Sequence, residues 1–365
     1  MIYLDHGATS FPKPPEVKRA VLQAMEHCSN PGRGGYPAAM AATKVLYDCR
    51  EAAGRLFHCT PEQVILTGSC THGLNMAIRT LVTPGDPVVV SGFEHNGVMR
   101  PLYALNAKLL VAGSRLFDWE DTLSQWEAAL KKGVKAAVFT HVSNVFGYVL
   151  PVQELGALCR RYGVPFILDA AQSAGSIPID LEALGAAFIA MPGHKGLQGP
   201  QGTGLLLCSG EVEPLLLGGT GGNSLSKTMP EQLPERGEAG TANVSGIAGL
   251  TAGITWVEKR GVDRLGKREA ALAAYCARGL EQLGLRVFSG EHQSGTVSFL
   301  PHGDCEEAAE FFSRKGIALR AGLHCAPLAH ESAGTVQTGT LRLSIGPNTT
   351  KAQCQMLLKA AGQLR

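Results

Sequence analysis

Between residues 165 and 196 the chain reads Pro165-Phe-Ile-Leu-Asp169-Ala-Ala-Gln172, a polar spacer, and then Ala186-Ala-Phe-Ile-Ala190-Met-Pro-Gly-His194-Lys195-Gly196. Both apolar runs are short and unbroken rather than alternating, which suits strands buried on both faces of a parallel sheet. Each run ends in chemistry-bearing groups, Asp169 in one case and His194-Lys195 in the other. Outward from here, Gln63–Thr67, Pro87–Ser91, Ala136–His141 and Thr203–Cys208 have the same texture. Helical periodicity over Cys70–Val82, Trp119–Lys132 and Val152–Tyr162 separates several of them. Strands alternating with helices predict a doubly wound α/β domain.

After about residue 250 the texture changes. A long helical stretch covers Ile247–Leu283. Strand-like Arg286–Ser289, Gly295–Leu300, Ile317–Arg320 and Gly339–Ser344 follow, with helical Cys305–Lys315 and Lys351–Leu364 among them. The pattern predicts a large α/β domain over residues 14–260 and a smaller α+β domain over 261–365. The extended residues 1–13 are expected to pack against the smaller domain.

Composition excludes several classes. The 365 residues are 45% hydrophobic and 18% charged, an ordinary globular balance. The net charge of +2 argues against nucleic acid or a membrane surface as a partner held by bulk charge. No apolar run approaches the roughly 18 residues of a membrane span, and the N-terminus lacks signal-peptide character. The ten cysteines form no C-x-x-C pair, so neither a disulfide framework nor a metal site is expected. A cytoplasmic location with reduced thiols is expected.

In doubly wound sheets ligands bind beyond the carboxyl ends of the strands. Here five strand ends carry polar groups. Gly68-Ser-Cys-Thr71 opens a helix, and its free N–H groups and hydroxyls could cradle a phosphate or merely cap the helix. Asp169 could hold a pyridinium nitrogen protonated, or cap a helix. His95 could stack on a planar cofactor or serve a loop. Lys195, on a glycine-flanked turn at a buried strand end, suits Schiff-base chemistry better than a solvated charge. Gly218–Gly222 lacks the setting of a dinucleotide fingerprint and reads as a loop at the active site or an interface.

Taken together, these stretches resemble the class V, fold-type I pyridoxal phosphate enzymes, and within them the group II cysteine desulfurases and selenocysteine lyases. Further matches are Tyr3-Leu-Asp, Asn30-Pro-Gly-Arg-Gly, Glu94-His95, Ser143-Asn144, Gly237-Glu-Ala-Gly-Thr241, Arg320-Ala-Gly-Leu-His-Cys325-Ala and Leu341-Arg-Leu-Ser, so the likeness spans the chain. It implies a fold-type I transferase with a mostly parallel sheet of the seven-stranded type, and pyridoxal 5'-phosphate as cofactor. Lys195 would bind the cofactor covalently and move the substrate's α-proton. Asp169 would pair with the ring nitrogen, His95 would stack on the ring, and Gln172 would contact the ring oxygen, with Asn144 nearby in the cofactor site. Cys70 (through its backbone), Thr71 and His194 would hold the phosphate. Thr241 would reach the phosphate of a neighbouring subunit, which implies a homodimer. Arg342, together with Asn30, would bind the substrate, its guanidinium gripping the carboxylate.

Cys325 lies between Gly322 and Pro327, in a segment that reads as a loop. Arg320 and His324 are expected to favour its thiolate. The resemblance makes Cys325 the nucleophile that takes sulfur from cysteine, leaving alanine and a persulfide to be passed to an acceptor protein or thiol. The alternatives are a selenocysteine lyase or a class V aminotransferase or lyase on another small amino acid. Three positions depart from the family pattern: His6 replaces an asparagine, Pro192 a hydroxyl residue before Gly-His-Lys, and Cys70 a frequent hydroxyl residue.

Overall fold

The structure, a computed structural model, describes residues 1–32, 34–222 and 224–364. Arg33, within one of the matching stretches, lies outside the described residues. The chain opens with β1 (Ile2–Tyr3), α1 (Pro15–His27) and α2 (Pro37–Phe57). The α/β succession is then β2 (Val64–Thr67), α3 (Cys70–Leu81), β3 (Pro87–Ser91), α4 (Asn96–Ala104), β4 (Lys108–Ala112) and α5 (Trp119–Leu130). It continues through β5 (Ala136–Thr140), α6 (Val152–Arg161), β6 (Phe166–Asp169), α7 (Leu181–Leu184), β7 (Phe188–Pro192) and β8 (Gly204–Cys208).

These strands form one seven-stranded sheet in the order β2-β8-β7-β6-β5-β3-β4, in which only β8 runs antiparallel to its neighbours. The unbroken apolar runs have a direct physical explanation. Val89, Ala137, Phe139 and Leu168 enter the core on one face of the sheet. Val88, Val90, Ala136, Val138 and Ile167 enter a second core on the other. Successive side chains point to opposite faces, so a strand buried on both must be apolar at every position.

The second half contains α8 (Val244–Arg260), α9 (Val262–Gln282), β9 (Arg286–Phe288), β10 (Thr296–Leu300), α10 (Cys305–Arg314), β11 (Ile317–Ala318), β12 (Arg320–Gly322), α11 (Pro327–Ala333), β13 (Thr340–Ser344) and α12 (Lys351–Ala361). Strands β12-β13-β10-β9 make a four-stranded antiparallel sheet, with α9, α10 and α12 supplying buried Cys276, Phe312 and Leu357 to its core. The N-terminal β1 pairs in parallel with β11, and Leu4 is buried in the same core.

Two expectations need correction, and two further features have no counterpart in the sequence reading. The helical stretch 247–283 is two helices, broken at Gly261, whose φ of 81° suits glycine. The strand expected over 317–320 is split: β11 serves β1, and β12 serves β13. Strand β4 was not anticipated, because as an edge strand it is mostly half-buried or exposed and lacks the apolar signature. Helices α1 and α2 were not anticipated either; both pack against α8.

Candidate active site

Strands β2, β3, β5, β6 and β7 share one direction through their pairings, so their carboxyl ends lie along a single sheet edge. A cavity of about 250 Å³ opens there. Each of the five strand ends supplies its wall, through Thr71, His95, Asn144, Asp169 and Lys195 respectively. Cys70, Gln172 and His194 also line it, as do Arg320, His324, Cys325 and Arg342 from the C-terminal sheet and its loops.

Lys195 sits on the turn that leaves β7. Two glycines make that turn possible for packing reasons. A Cβ at Gly193 would collide with the Thr203 hydroxyl, and one at Gly196 with the Ala174 carbonyl. Burial lowers the pKa of Lys195, and nearby Asp169 works against that shift. His194 is brought down to about 4, first by burial and then by Lys195 and Lys13, so its ring is neutral; Nδ1 lies 3.0 Å from Thr9 Oγ1.

Asp169 ends β6 and is 2% exposed. Its Oδ1 accepts from the Ala171 N–H at 2.9 Å and from the Cys70 thiol at 3.5 Å. Cys70 therefore contributes more than its backbone: its side chain hydrogen-bonds the very carboxylate expected to face a ring nitrogen. Burial, then Asp169, pushes its thiol well above the ordinary range, so it stays protonated and donates. Ser69 caps α3, its Oγ accepting from His72 N–H at 3.1 Å, so that hydroxyl is already engaged. His95 caps α4, with Nδ1 accepting from Gly97 N–H at 2.9 Å. Burial lowers its pKa, so the neutral ring carries its proton on Nε2.

Arg342 is 2% exposed and already occupied. Nη2 donates to Asp5 Oδ1 at 2.6 Å and Nη1 to the Asn144 carbonyl at 2.9 Å, while buried Nε has no partner. The expected carboxylate clamp is thus a guanidinium with one side taken by Asp5. Gly7 presses against it, since a Cβ there would stand 3.2 Å from Arg342 Cζ. Gln172 Nε2 donates to the Gly7 carbonyl at 3.0 Å. Asn144 Nδ2 donates to the His324 carbonyl at 2.7 Å, leaving buried Oδ1 without a partner.

Cys325 is exposed, on the loop between β12 and α11. It and His324 both adopt left-handed backbone, φ 59° and 50°, an uncommon conformation for two consecutive non-glycine residues. Asn144 on the His324 carbonyl and Asn96 N–H on the Cys325 carbonyl, at 2.8 Å, hold the pair in place. The expected help from His324 as a cation is corrected. Burial drives its pKa to about 2, with Arg342 second, and Nε2 faces the Thr340 carbonyl at 3.2 Å, so the ring is neutral.

Two expected residues lie elsewhere. Asn30 and Thr241 are exposed loop residues that do not line the cavity within one chain. His6 was noticed only as a departure. It packs edge-on to Tyr3, with ring centroids 4.9 Å apart, and burial lowers it to about 4. The pairing of Asp5 with Arg342 was missed, because nothing in the sequence links positions so far apart.

Pyridoxal phosphate fits the residues present. A helix N-terminus stands ready for an anion, a buried carboxylate for a ring nitrogen, and a half-buried lysine with lowered pKa for an aldehyde. Asn144 Oδ1 is a buried acceptor still lacking a donor.

Comparison with known proteins gives the same direction. The profile of the Aminotransferase class-V family matches residues 2–357. A probable cysteine desulfurase of Methanothermobacter thermautotrophicus is 32% identical, over 98% of this chain and 92% of the relative. Among solved structures, the apo cysteine desulfurase of Thermococcus onnurineus NA1 superposes with a TM-score of 0.93 at 30% identity, covering 100% of this chain and 94% of that one. An Escherichia coli cysteine desulfurase in its S-sulfonic acid form follows at 0.85 and 26%, covering 99% of this chain and 94% of that one.

Proposed function

The chain belongs to the class-V aminotransferase family, and from that premise we infer that it is a pyridoxal phosphate-dependent cysteine desulfurase converting L-cysteine to L-alanine. The observation that carries this reading is a single cavity walled by Lys195, Asp169 and the exposed Cys325. A cysteine sharing the cavity with the lysine would have no task in an ordinary transaminase; in a desulfurase it receives the sulfur.

Bound pyridoxal phosphate supplies an electron sink for the carbon that bears the amino group. The N-terminus of α3, Thr71 and His194 would hold its phosphate, Asp169 its ring nitrogen, and Gln172 and Asn144 its ring oxygen, with His95 against the ring face. Lys195 attaches the cofactor and moves the substrate's α-proton. Its lowered pKa keeps more of the amine neutral and able to accept that proton. Arg342 binds the substrate carboxylate from within its Asp5 pair. Cys325 then attacks the substrate sulfur: an S–S bond forms, the C–S bond breaks, and the carbon keeps the electron pair. That carbon gains a proton to become the methyl group of alanine. Sulfur is oxidised and carbon reduced in equal measure, so Cys325 thiol plus cysteine gives Cys325 persulfide plus alanine.

The exposure of Cys325 supports transfer of its outer sulfur to an acceptor thiol or protein. The exposed positions of Asn30 and Thr241 support a homodimer in which a second subunit supplies them. All ten cysteines are free thiols, which supports a reducing, cytoplasmic setting. Among the described residues no helix is long and apolar enough to cross a membrane.

The test is a panel of cysteine, selenocysteine and other small amino acids, with alanine release measured for the wild type and Cys325→Ala. Cysteine should give alanine only with the wild type. If Cys325→Ala matched the wild type on cysteine, the persulfide route would be wrong. Alanine from selenocysteine alone would move the reading to a selenocysteine lyase.

A further inference from the structure

The peptide carbonyl of His194, directly before Lys195, is crowded with donors from the N-terminal strap. It accepts from Ser10 N–H at 3.0 Å, Ser10 Oγ at 3.0 Å, Thr9 Oγ1 at 3.1 Å and Lys13 Nζ at 2.7 Å. Lys13 Nζ also donates to Ser10 Oγ at 2.6 Å. One carbonyl oxygen offers two lone pairs, so these donors compete, and the cationic one forms the strongest bond. Thr9 holds the His194 ring as well, so the strap grips both the backbone and the side chain beside Lys195.

Lys13 itself is hard to explain as a surface charge. Burial lowers its pKa to about 8, and among the described residues no carboxylate opposes the shift. The titratable rings facing it, His194 and His6, are both neutral and feel it as a repelling cation. A partly buried ammonium without a counter-ion costs stability unless its hydrogen bonds serve a purpose.

We propose that Lys13 is a positioning residue: by holding the His194 carbonyl it fixes the Gly193–Gly196 turn, and with it the place at which the Lys195 amine enters the cavity. The proposal rests on Lys195 being the cofactor lysine. A misplacement of about 1 Å at such a group costs up to about a hundredfold in rate. Lys13 acts through the turn and touches neither cofactor nor substrate.

The experiment uses the cofactor-loaded enzyme with Lys13→Met and Lys13→Arg. Hydroxylamine is added, and release of pyridoxal phosphate is followed by loss of its visible absorbance. Lys13→Met should release cofactor about tenfold faster or more, and kcat should fall while KM for cysteine stays within about threefold. Lys13→Arg, which keeps a cationic donor, should return both towards wild type. A wild-type release rate in Lys13→Met overturns the inference. So does a change that Lys13→Arg does not reverse, since the residue would then be needed only for its shape. Borohydride reduction and peptide mapping separate the two readings. If the label falls on a lysine other than 195, the assignment of Lys195 fails. If it falls on Lys195 and the release rates are unchanged, only the role of Lys13 fails.

Discussion

The thiol of Cys325 is exposed, while the ring of its neighbour His324 is buried and neutral. Adjacent residues therefore do different work: in the proposed reaction Cys325 meets the substrate, while His324 anchors the loop through Thr340 and Asn144. The motif was legible in sequence, but this division was not, because burial is set by the packing of β12 and β13. The same holds for Arg342. Its identity was readable, but its partner Asp5 comes from the other end of the chain. Charge-assisted hydrogen bonds are worth about 1.5–3 kcal/mol, so Arg342→Lys should lower kcat/KM for cysteine by about tenfold to a hundredfold. Steady-state kinetics checks this, and an unchanged kcat/KM would remove Arg342 from the substrate's contacts. Cys70→Ser should keep the donor to Asp169 and leave cofactor absorbance near wild type, whereas Cys70→Val should shift it. Absorbance spectra of the loaded variants decide, and a Val variant with the wild-type spectrum would show the contact to be idle.

At the level of elements, the parallel strands were legible because burial on both faces leaves an unbroken apolar signature. Edge strand β4 lacks it and was missed. The break between α8 and α9 was missed because Gly261 sits inside a continuous helical pattern and is not closely packed, a Cβ there meeting only Arg264 Cβ at 3.8 Å. Its importance is backbone conformation alone, at φ 81°. Gly261→Ala should therefore cost about 1–3 kcal/mol with no steric clash to relieve. Urea denaturation should show a lower midpoint at unchanged slope, and an unchanged midpoint would contradict the point. Near the site, Gly196→Ala has no such room and should displace Lys195, seen as loss of bound cofactor.

At the level of the whole molecule, buried histidines and a buried acid set the response to pH. His141 and His330 are lowered to about 4 and His324 to about 2, burial being the first cause in each. Unfolded, they titrate near 6.5, so the unfolded chain takes up protons that the fold refuses. Stability is therefore lost as pH falls from about 6.5 towards 4. Glu94 opposes this. Burial raises it from 4.5 to about 8, so the fold keeps a proton that the unfolded chain releases, and its contribution is lost as pH rises towards 8. Half-buried His6 and His194, also near 4, act with the three histidines, and half-buried Glu269, also raised to about 8, acts with Glu94; with five groups against two, Tm should peak near neutrality and fall clearly by about pH 5. Calorimetry across that range checks it, and a Tm rising into acid would contradict it. The proposed homodimer gives Thr241 and Asn30 their roles at this scale. If a second subunit completes the site, mixed dimers of Lys195→Ala and Thr241→Ala contain one intact site, and exchange of the two variants should restore activity that neither has alone. The most direct test follows the sulfur itself. After a single turnover with cysteine and no acceptor thiol, intact mass spectrometry should find the wild-type chain heavier by one sulfur atom, located by peptide mapping at Cys325 and absent from Cys325→Ala. Alanine released with no sulfur on Cys325, or sulfur on another cysteine, would contradict the account.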